Sequence, residues 1–350
     1  METTMNIIVL AAGQSSRFPN MRPKYLLTAY DHKLMIEHAI GCFPAHAKIT
    51  VVVLKEHCEQ FQADTFLKEA LGNRVSVVVL DQLTNGPAET ALTAIKQLGI
   101  QGPVFIKDCD TFIEFINPIK ECNGIAIAKL NDYPNIRNVS GKSYVKANEH
   151  GIVQSIVEKQ IVSNLFSVGG YQFKDANIFA TVAEHLLRSA TQEVYLSNVI
   201  DSMISRGEIF ETLPTNKFVD VGTADDWIAF NRQYPVLFVD IDGVLVKNQS
   251  RYGSNKFGTP LTVLDSNVNF LLEYQANGAQ FVFTTSRQSE FDNETNSLLG
   301  QLGFVNYRLV SGLNTTNRIL VNDFDYSNPY PSASAINIKR NNEDLERYFK

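Results

Sequence analysis

Residues 10 to 27 read Leu10-Ala11-Ala12-Gly13-Gln14-Ser15-Ser16-Arg17-Phe18, then Pro23-Lys24-Tyr25-Leu26-Leu27, directly after the apolar run Asn6-Ile7-Ile8-Val9. A strand that empties into small residues lets the backbone N–H groups around Leu10, Ala11, Ala12 and Gly13 come close to a triphosphate. Arg17 and Lys24 supply fixed positive charge for its oxygens. The chemistry this spacing suggests is reaction at a nucleotide phosphate. By itself, Leu-Ala-Ala-Gly is often no more than a strand ending at a turn, so the reading depends on the rest of the chain.

Beyond the loop the chain alternates between two patterns. Residues 49–54, 75–80 and 103–107 are short β-branched or apolar runs that read as buried strands. Residues 34–43, 57–70 and 88–98 carry apolar positions at three and four spacing and read as helices. The series is βαβαβα, which predicts an α/β unit with a mixed, mainly parallel sheet. Loops leaving the carboxyl ends of such strands hold the ligand, so the Gly13 loop and the Asp108–Asp110 segment are expected to face one cleft. From 124 to 173 the pattern changes to paired strands, with 144–147 and 152–157 flanking the turn Asn148-Glu149-His150-Gly151. A further apolar strand at 235–239 ends in Asp240, and a new α/β rhythm continues through 281–284 and 319–321. The expected boundary lies near Gln233, giving units 1–233 and 234–350.

At 350 residues two domains are the natural expectation. Hydrophobic residues at 44% and charged residues at 19% suit a globular enzyme, and no proline, glycine or serine tract marks disorder. The formal net charge of −6 argues against general affinity for nucleic acid or anionic membrane while permitting local basic clefts. Cys42, Cys58, Cys109 and Cys122 lack CxxC spacing, and histidines such as His32, His38 and His185 follow no ligand spacing. Neither a disulfide framework nor a zinc site is expected. The first residues lack signal-peptide character and no apolar run approaches the ~18 residues of a membrane span, so a reducing, cytoplasmic location is expected.

With the loop in place, the later landmarks carry a resemblance. Gly86-Pro87-Ala88-Glu89-Thr90, Asp108-Cys109-Asp110, Glu158-Lys159, Val168-Gly169-Gly170-Tyr171 and Phe218-Val219-Asp220-Val221-Gly222-Thr223 occur in that order. Residues 6 to about 233 thereby resemble the sugar-phosphate nucleotidyltransferases, or nucleotide-sugar pyrophosphorylases. The resemblance implies a Rossmann-like domain in which a substrate phosphate oxygen attacks the α-phosphorus of a nucleoside triphosphate and pyrophosphate leaves in line. Positioning and charge stabilisation would carry that catalysis. It implies that Asp110 and Asp220, each taken to end a strand, share Mg²⁺. Arg17 and Lys24 would stabilise the triphosphate and leaving pyrophosphate, Lys159 and Glu158 would hold the acceptor's phosphate and hydroxyls, and Gly170 would line the acceptor pocket. Gln82 and Gly86 would lie at the base. Asp108 ranks below Asp110, as a cap or a supporting group.

The second unit carries its own resemblance. Asp240-Ile241-Asp242-Gly243-Val244-Leu245, then Thr284-Thr285-Ser286-Arg287, then Arg318 before Ile319-Leu320-Val321-Asn322-Asp323-Phe324-Asp325, resemble the motifs of the haloacid dehalogenase superfamily. What this implies is a capless Rossmannoid phosphatase. Asp240 would be the nucleophile, Asp242 the acid and base, Thr285 and Ser286 phosphate ligands, and Arg318 the cation where lysine is usual. Asp240, Asp242 and Asp323 would sit around a second Mg²⁺, with Asp325 orienting that shell. Asp-x-Asp-Gly alone would be a turn.

The combined expectation is a bifunctional enzyme that makes a nucleotide-activated sugar or polyol, with capsule or surface-glycan precursors as its destination by family analogy. CTP or UTP is favoured over GTP or dTTP on the loop pattern, and a homo-oligomer is compatible with the chain. Two rival readings are a transferase whose second unit is a catalytically silent binding or dimerisation module, and a nucleotide-sensing regulator without turnover.

Overall fold

The computed structural model describes residues 5–119, 121–248, 261–323 and 333–349, and the chain divides into two compact units, Met1–Asp226 and Trp227–Lys350. The division falls inside helix Ala224–Arg232, ahead of the expected boundary near Gln233.

In the first unit the order is β1 (Asn6–Leu10), α1 (Met35–Ala39), β2 (Ile49–Leu54), α2 (Lys55–Phe61), α3 (Ala63–Leu71), β3 (Val75–Leu80), α4 (Pro87–Leu98), β4 (Val104–Asp108) and β5 (Thr111–Phe115). It continues with β6 (Asn123–Lys129), β7 (Ser143–Ala147), β8 (Val153–Glu158), β9 (Leu165–Phe173), α5 (Ala176–Ser189), α6 (Leu196–Ser205) and β10 (Phe210–Asp220), and ends within α7 (Ala224–Arg232). Among the described residues ten strands form one sheet in the order β3-β2-β1-β4-β9-β6-β10-β5, with β7 pairing β8 and β9. β3, β2, β1 and β4 are parallel, and β9 runs antiparallel between β4 and β6.

Both faces of this sheet are covered, which is why its strands read as continuous apolar runs. On one face Ile8, Val52 and Ile106 pack with Ala91, Ile95, Phe179 and Val199; on the other, Ile7, Val9, Val51 and Phe105 pack with Ile36, Ile40 and Leu67. Period-two alternation therefore separates two helical layers rather than core from solvent. The helix expected over 57–70 is two helices, because Gln62 adopts a left-handed conformation (φ +52°) between α2 and α3. The expected hairpin forms at Asn148–Gly151, where Gly151 (φ +78°) donates its N–H to the Asn148 carbonyl at 3.0 Å.

The second unit has β11 (Val236–Asp240), α8 (Asp265–Ala276), β12 (Gln280–Thr284), α9 (Asp292–Gln301) and β13 (Tyr307–Val310), with β11, β12 and β13 parallel in that order. Val239, Phe281, Phe283, Val268, Leu271, Leu299 and Phe304 form its core. The strand expected at 319–321 is absent. That segment is irregular, with Ile319 78% and Val321 87% exposed, and the strand after α9 is Tyr307–Val310 instead. A three-residue aliphatic run has strand propensity, but without a ladder partner propensity does not make a strand. No helix among the described residues is long and apolar enough to cross a membrane.

Candidate active site

β1 ends at Leu10, which lies opposite Asp108 on β4 and Val52 on β2. Ala11 donates its N–H to the Val52 carbonyl at 2.9 Å. Ala11 and Ala12 are buried beneath the loop, whereas Gly13 is exposed with open space beside its Cα. The loop returns through Ser15 (φ +51°), whose Oγ accepts from the Lys24 N–H at 3.1 Å while buried Phe18 anchors the stretch between. This closure brings Arg17 and Lys24 to the carboxyl end of the sheet.

Asp110 does not end a strand. Asp108 ends β4, and Asp110 sits in the buried turn before β5. Asp220 does end its strand, and the antiparallel pairing of β5 with β10 places Thr111 opposite Asp220 while Val221 donates to the Asp110 carbonyl at 3.0 Å. Two carboxylates more than a hundred positions apart thus meet. A Cβ placed on Gly222 would lie 3.0 Å from Asp220 Oδ1 and 3.1 Å from Asp110 Oδ2, so both oxygens approach the same point. The Gly222 N–H donates to Asp220 Oδ1 at 3.0 Å.

Cations surround the pair. Lys24 Nζ donates to Asp110 Oδ2 at 2.6 Å, Arg17 Nη2 lies 3.7 Å from the same oxygen, and Lys142 Nζ pairs with Asp220 Oδ2. Burial alone would raise the Asp110 carboxyl, but the Lys24 charge and hydrogen bond, with Arg17 and Lys142, outweigh it and hold Asp110 well below the usual carboxylate range. Lys24 is the mirror case: burial would lower it, and Asp110 holds it above its ordinary value. Asp108 goes the other way, raised by burial and then by the Asp110 charge. Cys109, between the two acids, is pushed up to about 12 by burial and is no nucleophile.

Two lysines in this region are invisible as site residues in the sequence. Lys107 is fully buried and donates to the Asp108 carbonyl (2.9 Å), the Thr111 carbonyl (2.7 Å) and Thr111 Oγ1 (2.6 Å), so it pins the turn that carries Asp110. The signal that could have found it is a lysine adjoining the apolar strand run Val104-Phe105-Ile106. Lys142, a lone lysine ahead of a strand, carries no such signal.

The remaining expected positions spread along the same edge of the sheet. Glu158 accepts from Ser143 Oγ and from Ser197 Oγ at 2.6 Å. Lys159 (φ +56°) donates to the Tyr195 hydroxyl, which in turn donates to Glu193. Gly86 (φ +115°) caps α4, and a side chain there would collide with Glu193 and the Val194 carbonyl; Gln82 is exposed beyond the end of β3. Gly170, expected to line the acceptor pocket, pairs with Lys107 on β4. The space a side chain would need there is filled by Ala126 and the Phe105 ring, so its missing Cβ serves packing within the sheet. Gly169 is the glycine that abuts Asp108 and Thr111. A Cβ on Gly169 would lie 2.5 Å from Asp108 Oδ2 at φ +78°, and Gly169→Ala is expected to cost at least about 1–2 kcal/mol, read as a lowered thermal midpoint. Gly222→Ala is the contrasting case. Its backbone is open to alanine but its Cβ would stand within 3.1 Å of both carboxylates and force them apart, so any reaction that uses the pair is expected to slow about 10- to 100-fold, read as the rate of the folded variant against wild type.

In the second unit, Asp240 ends β11 opposite Thr284, and Arg318 Nη1 lies 3.1 Å from Asp240 Oδ1. Asp242 accepts from buried Thr285 Oγ1 (3.1 Å) and from the buried Arg287 guanidinium through Nε (2.9 Å) and Nη2 (2.6 Å). Ser286 lies between them, half-buried. Arg287 has no expected role in the motif, because an arginine after a strand shows no partner in sequence. Asp323 lies in the irregular segment, and Asp325 falls outside the described residues. Among the described residues no three histidine, cysteine or acidic side chains are grouped to hold a metal ion. The expected set Asp240, Asp242 and Asp323 is therefore not gathered, and the first unit offers a pair of carboxylates.

Residues 7–115 match the MobA-like NTP transferase domain. The bifunctional protein GlmU of Limosilactobacillus fermentum is 25% identical over 256 residues, covering 69% of this chain and 54% of that protein. GlmU of Bacillus cereus is 24% identical over 239 residues, covering 64% and 50%. The chain spans about half the length of these curated relatives. Among solved structures, the nucleoside-diphosphate-sugar pyrophosphorylase from Vibrio cholerae RC9 superposes with a TM-score of 0.55 at 20% identity, over 65% of this chain and 100% of that one. The inositol-1-phosphate CTP transferase from T. maritima gives 0.50 at 16% identity, over 66% and 98%. The first unit therefore shares the α/β fold of these solved structures, and its residues 7–115 match an NTP transferase domain.

Proposed function

We propose that the first unit, taken as residues 1–233, transfers a nucleotidyl group from a nucleoside triphosphate to a sugar or polyol phosphate and releases pyrophosphate. The observation that carries this reading is the meeting of Asp110 and Asp220 at one point, ringed by Arg17, Lys24 and Lys142, at the mouth of the β1 loop. Two hard carboxylate donors about one point suit Mg²⁺, which takes few protein ligands and completes its shell with phosphate oxygens and water. Asp110 and Asp220 would hold it, and when bound it supplies charge neutralisation between the α-phosphate and the incoming phosphate.

The chain's own part rests on its geometry. The backbone at Leu10–Gly13 receives the triphosphate, and an oxygen of the acceptor phosphate forms its bond to the α-phosphorus as the bond to pyrophosphate breaks. Arg17 and Lys24 take up the charge that accumulates on the leaving group. Glu158, which accepts from Ser143 and Ser197, would also accept acceptor hydroxyls. Pyrophosphorylases and a CTP transferase among the similar structures support this substrate class, with CTP or UTP as the first candidates. Pyrophosphate release measured for each nucleoside triphosphate against a library of sugar and polyol phosphates tests it, and silence across the whole matrix overturns it.

For the second unit, residues 234–350, the pairing of Asp240 with Arg318 at the carboxyl end of β11 favours a phosphomonoesterase reading, in which Asp242 must leave the Arg287 fork to carry a proton. Asp240 attacks phosphorus, Asp242 gives a proton to the leaving oxygen, and Asp242 then takes one from the water that hydrolyses the aspartyl phosphate. Arg287 sets the orientation of Asp242. A bifunctional role in capsule or surface-glycan precursor synthesis rests on resemblance.

A further inference from the structure

Resting on the transferase reading, we infer that Lys142 is the cation that receives the acceptor's phosphate beside the reacting phosphorus. Lys142 immediately precedes β7, and its carbonyl accepts from the Lys159 N–H at 3.0 Å, so the two lysines are backbone neighbours at the end of the β7–β8 ladder. Their side chains go to different places. Lys159, bent by its positive φ, sets its ammonium 4.2 Å over the Tyr195 ring and donates to the Tyr195 hydroxyl, which is itself tied to Glu193. Lys142 runs inward with its side chain only 13% exposed, passes 5.5 Å from the Phe218 ring centre, and ends on Asp220 Oδ2.

Asp220 is one of the two carboxylates that converge beside Gly222, so Lys142 is the neighbour that stands where the two phosphates must meet. An acceptor phosphate brings about two negative charges toward an already anionic α-phosphate, and a desolvated ammonium there offsets that repulsion. Lys142 and Lys24 each neutralise one carboxylate in this structure. With a divalent cation held by Asp110 and Asp220, the flexible lysine stem would let Lys142 turn from Asp220 to the arriving phosphate oxygens. No proton or covalent bond changes hands at Lys142; its contribution is charge and position.

Two readouts on the full-length chain test this. Electron paramagnetic resonance of Mn²⁺ binding without nucleotide is expected to show several-fold tighter binding by Lys142→Met than by wild type, because Asp220 loses its internal counter-ion. In steady-state assays Lys142→Met is expected to raise KM for the acceptor and lower kcat, together about 10- to 100-fold in kcat/KM, with KM for the nucleoside triphosphate unchanged. Lys142→Arg should restore part of the loss, and Lys159→Met should leave Mn²⁺ binding as in wild type. Mn²⁺ affinity that does not move in Lys142→Met, or an acceptor kcat/KM within about two-fold of wild type, overturns the inference. Should wild type release no pyrophosphate with any substrate pair, the transferase reading fails while the Mn²⁺ comparison still decides the role of Lys142 toward Asp220. If Lys142→Met does not fold, Lys142→Gln carries the same two measurements.

Discussion

Asp110→Asn is expected to reduce pyrophosphate release by about 10³-fold or more. The side chain keeps its shape and can still accept from Lys24, but the negative charge is gone from a point that both Asp110 and Asp220 approach within about 3 Å. In wild type that charge is secure, since Lys24 and Arg17 hold Asp110 ionised far into acid despite its burial. Removing it also leaves Lys24, with its largely buried side chain, without its counter-ion. Breaking such a pair from one side costs about 3–5 kcal/mol at full burial, so a lowered thermal midpoint should accompany the lost rate. Circular dichroism and pyrophosphate release on the same preparation separate the two effects. A folded Asp110→Asn protein that turns over within about ten-fold of wild type would remove Asp110 from the reaction.

The second large effect belongs to Asp240. On the phosphomonoesterase reading, Asp240→Asn should abolish phosphate release from phosphomonoesters, about 10³-fold or more, because an amide oxygen cannot form the aspartyl phosphate. The pH dependence carries further information. Burial raises the Asp240 carboxyl, Arg318 opposes this, and the Asp242 charge raises it again, leaving the group above its ordinary value. As the proposed nucleophile, Asp240 must be ionised, so phosphate release should be lost as pH falls through this raised value, and the acid limb should lie above the ordinary carboxylate value of about 3.9. Arg318→Ala removes the opposing charge and should move that limb to still higher pH. Phosphate release profiles for wild type and Arg318→Ala check the direction, and an Asp240→Asn protein with undiminished release would leave the second unit as a binding module.

Much of the architecture was readable from local pattern. The runs at 49–54 and 75–80 became strands with the same bounds; the first is buried on both faces of the sheet, while the second, expected to be buried, is the half-exposed edge strand. The turn at 148–151 was likewise legible, since Asn and Gly encode its backbone locally. The run at 319–321 misled because its composition is strand-like, while strand formation is decided by a partner across the ladder that no short segment specifies. Gln62 interrupted a helix whose apolar spacing continued across it.

For the site the division is sharper. Leu10–Gly13, Arg17, Lys24, Asp110, Asp220, Asp240 and Asp242 are singled out by residue type and by family resemblance, and each stands at the carboxyl end of a strand or in the loop beyond it. Which groups touch could not. The meeting of Asp110 with Asp220 depends on β5 pairing antiparallel with β10, and Lys142, Lys107 and Arg287 acquire meaning only from the carboxylates and carbonyls they reach. Residue chemistry and strand periodicity are local properties, written along the chain. Charge pairing acts through space, so its partners exist only once the backbone has closed.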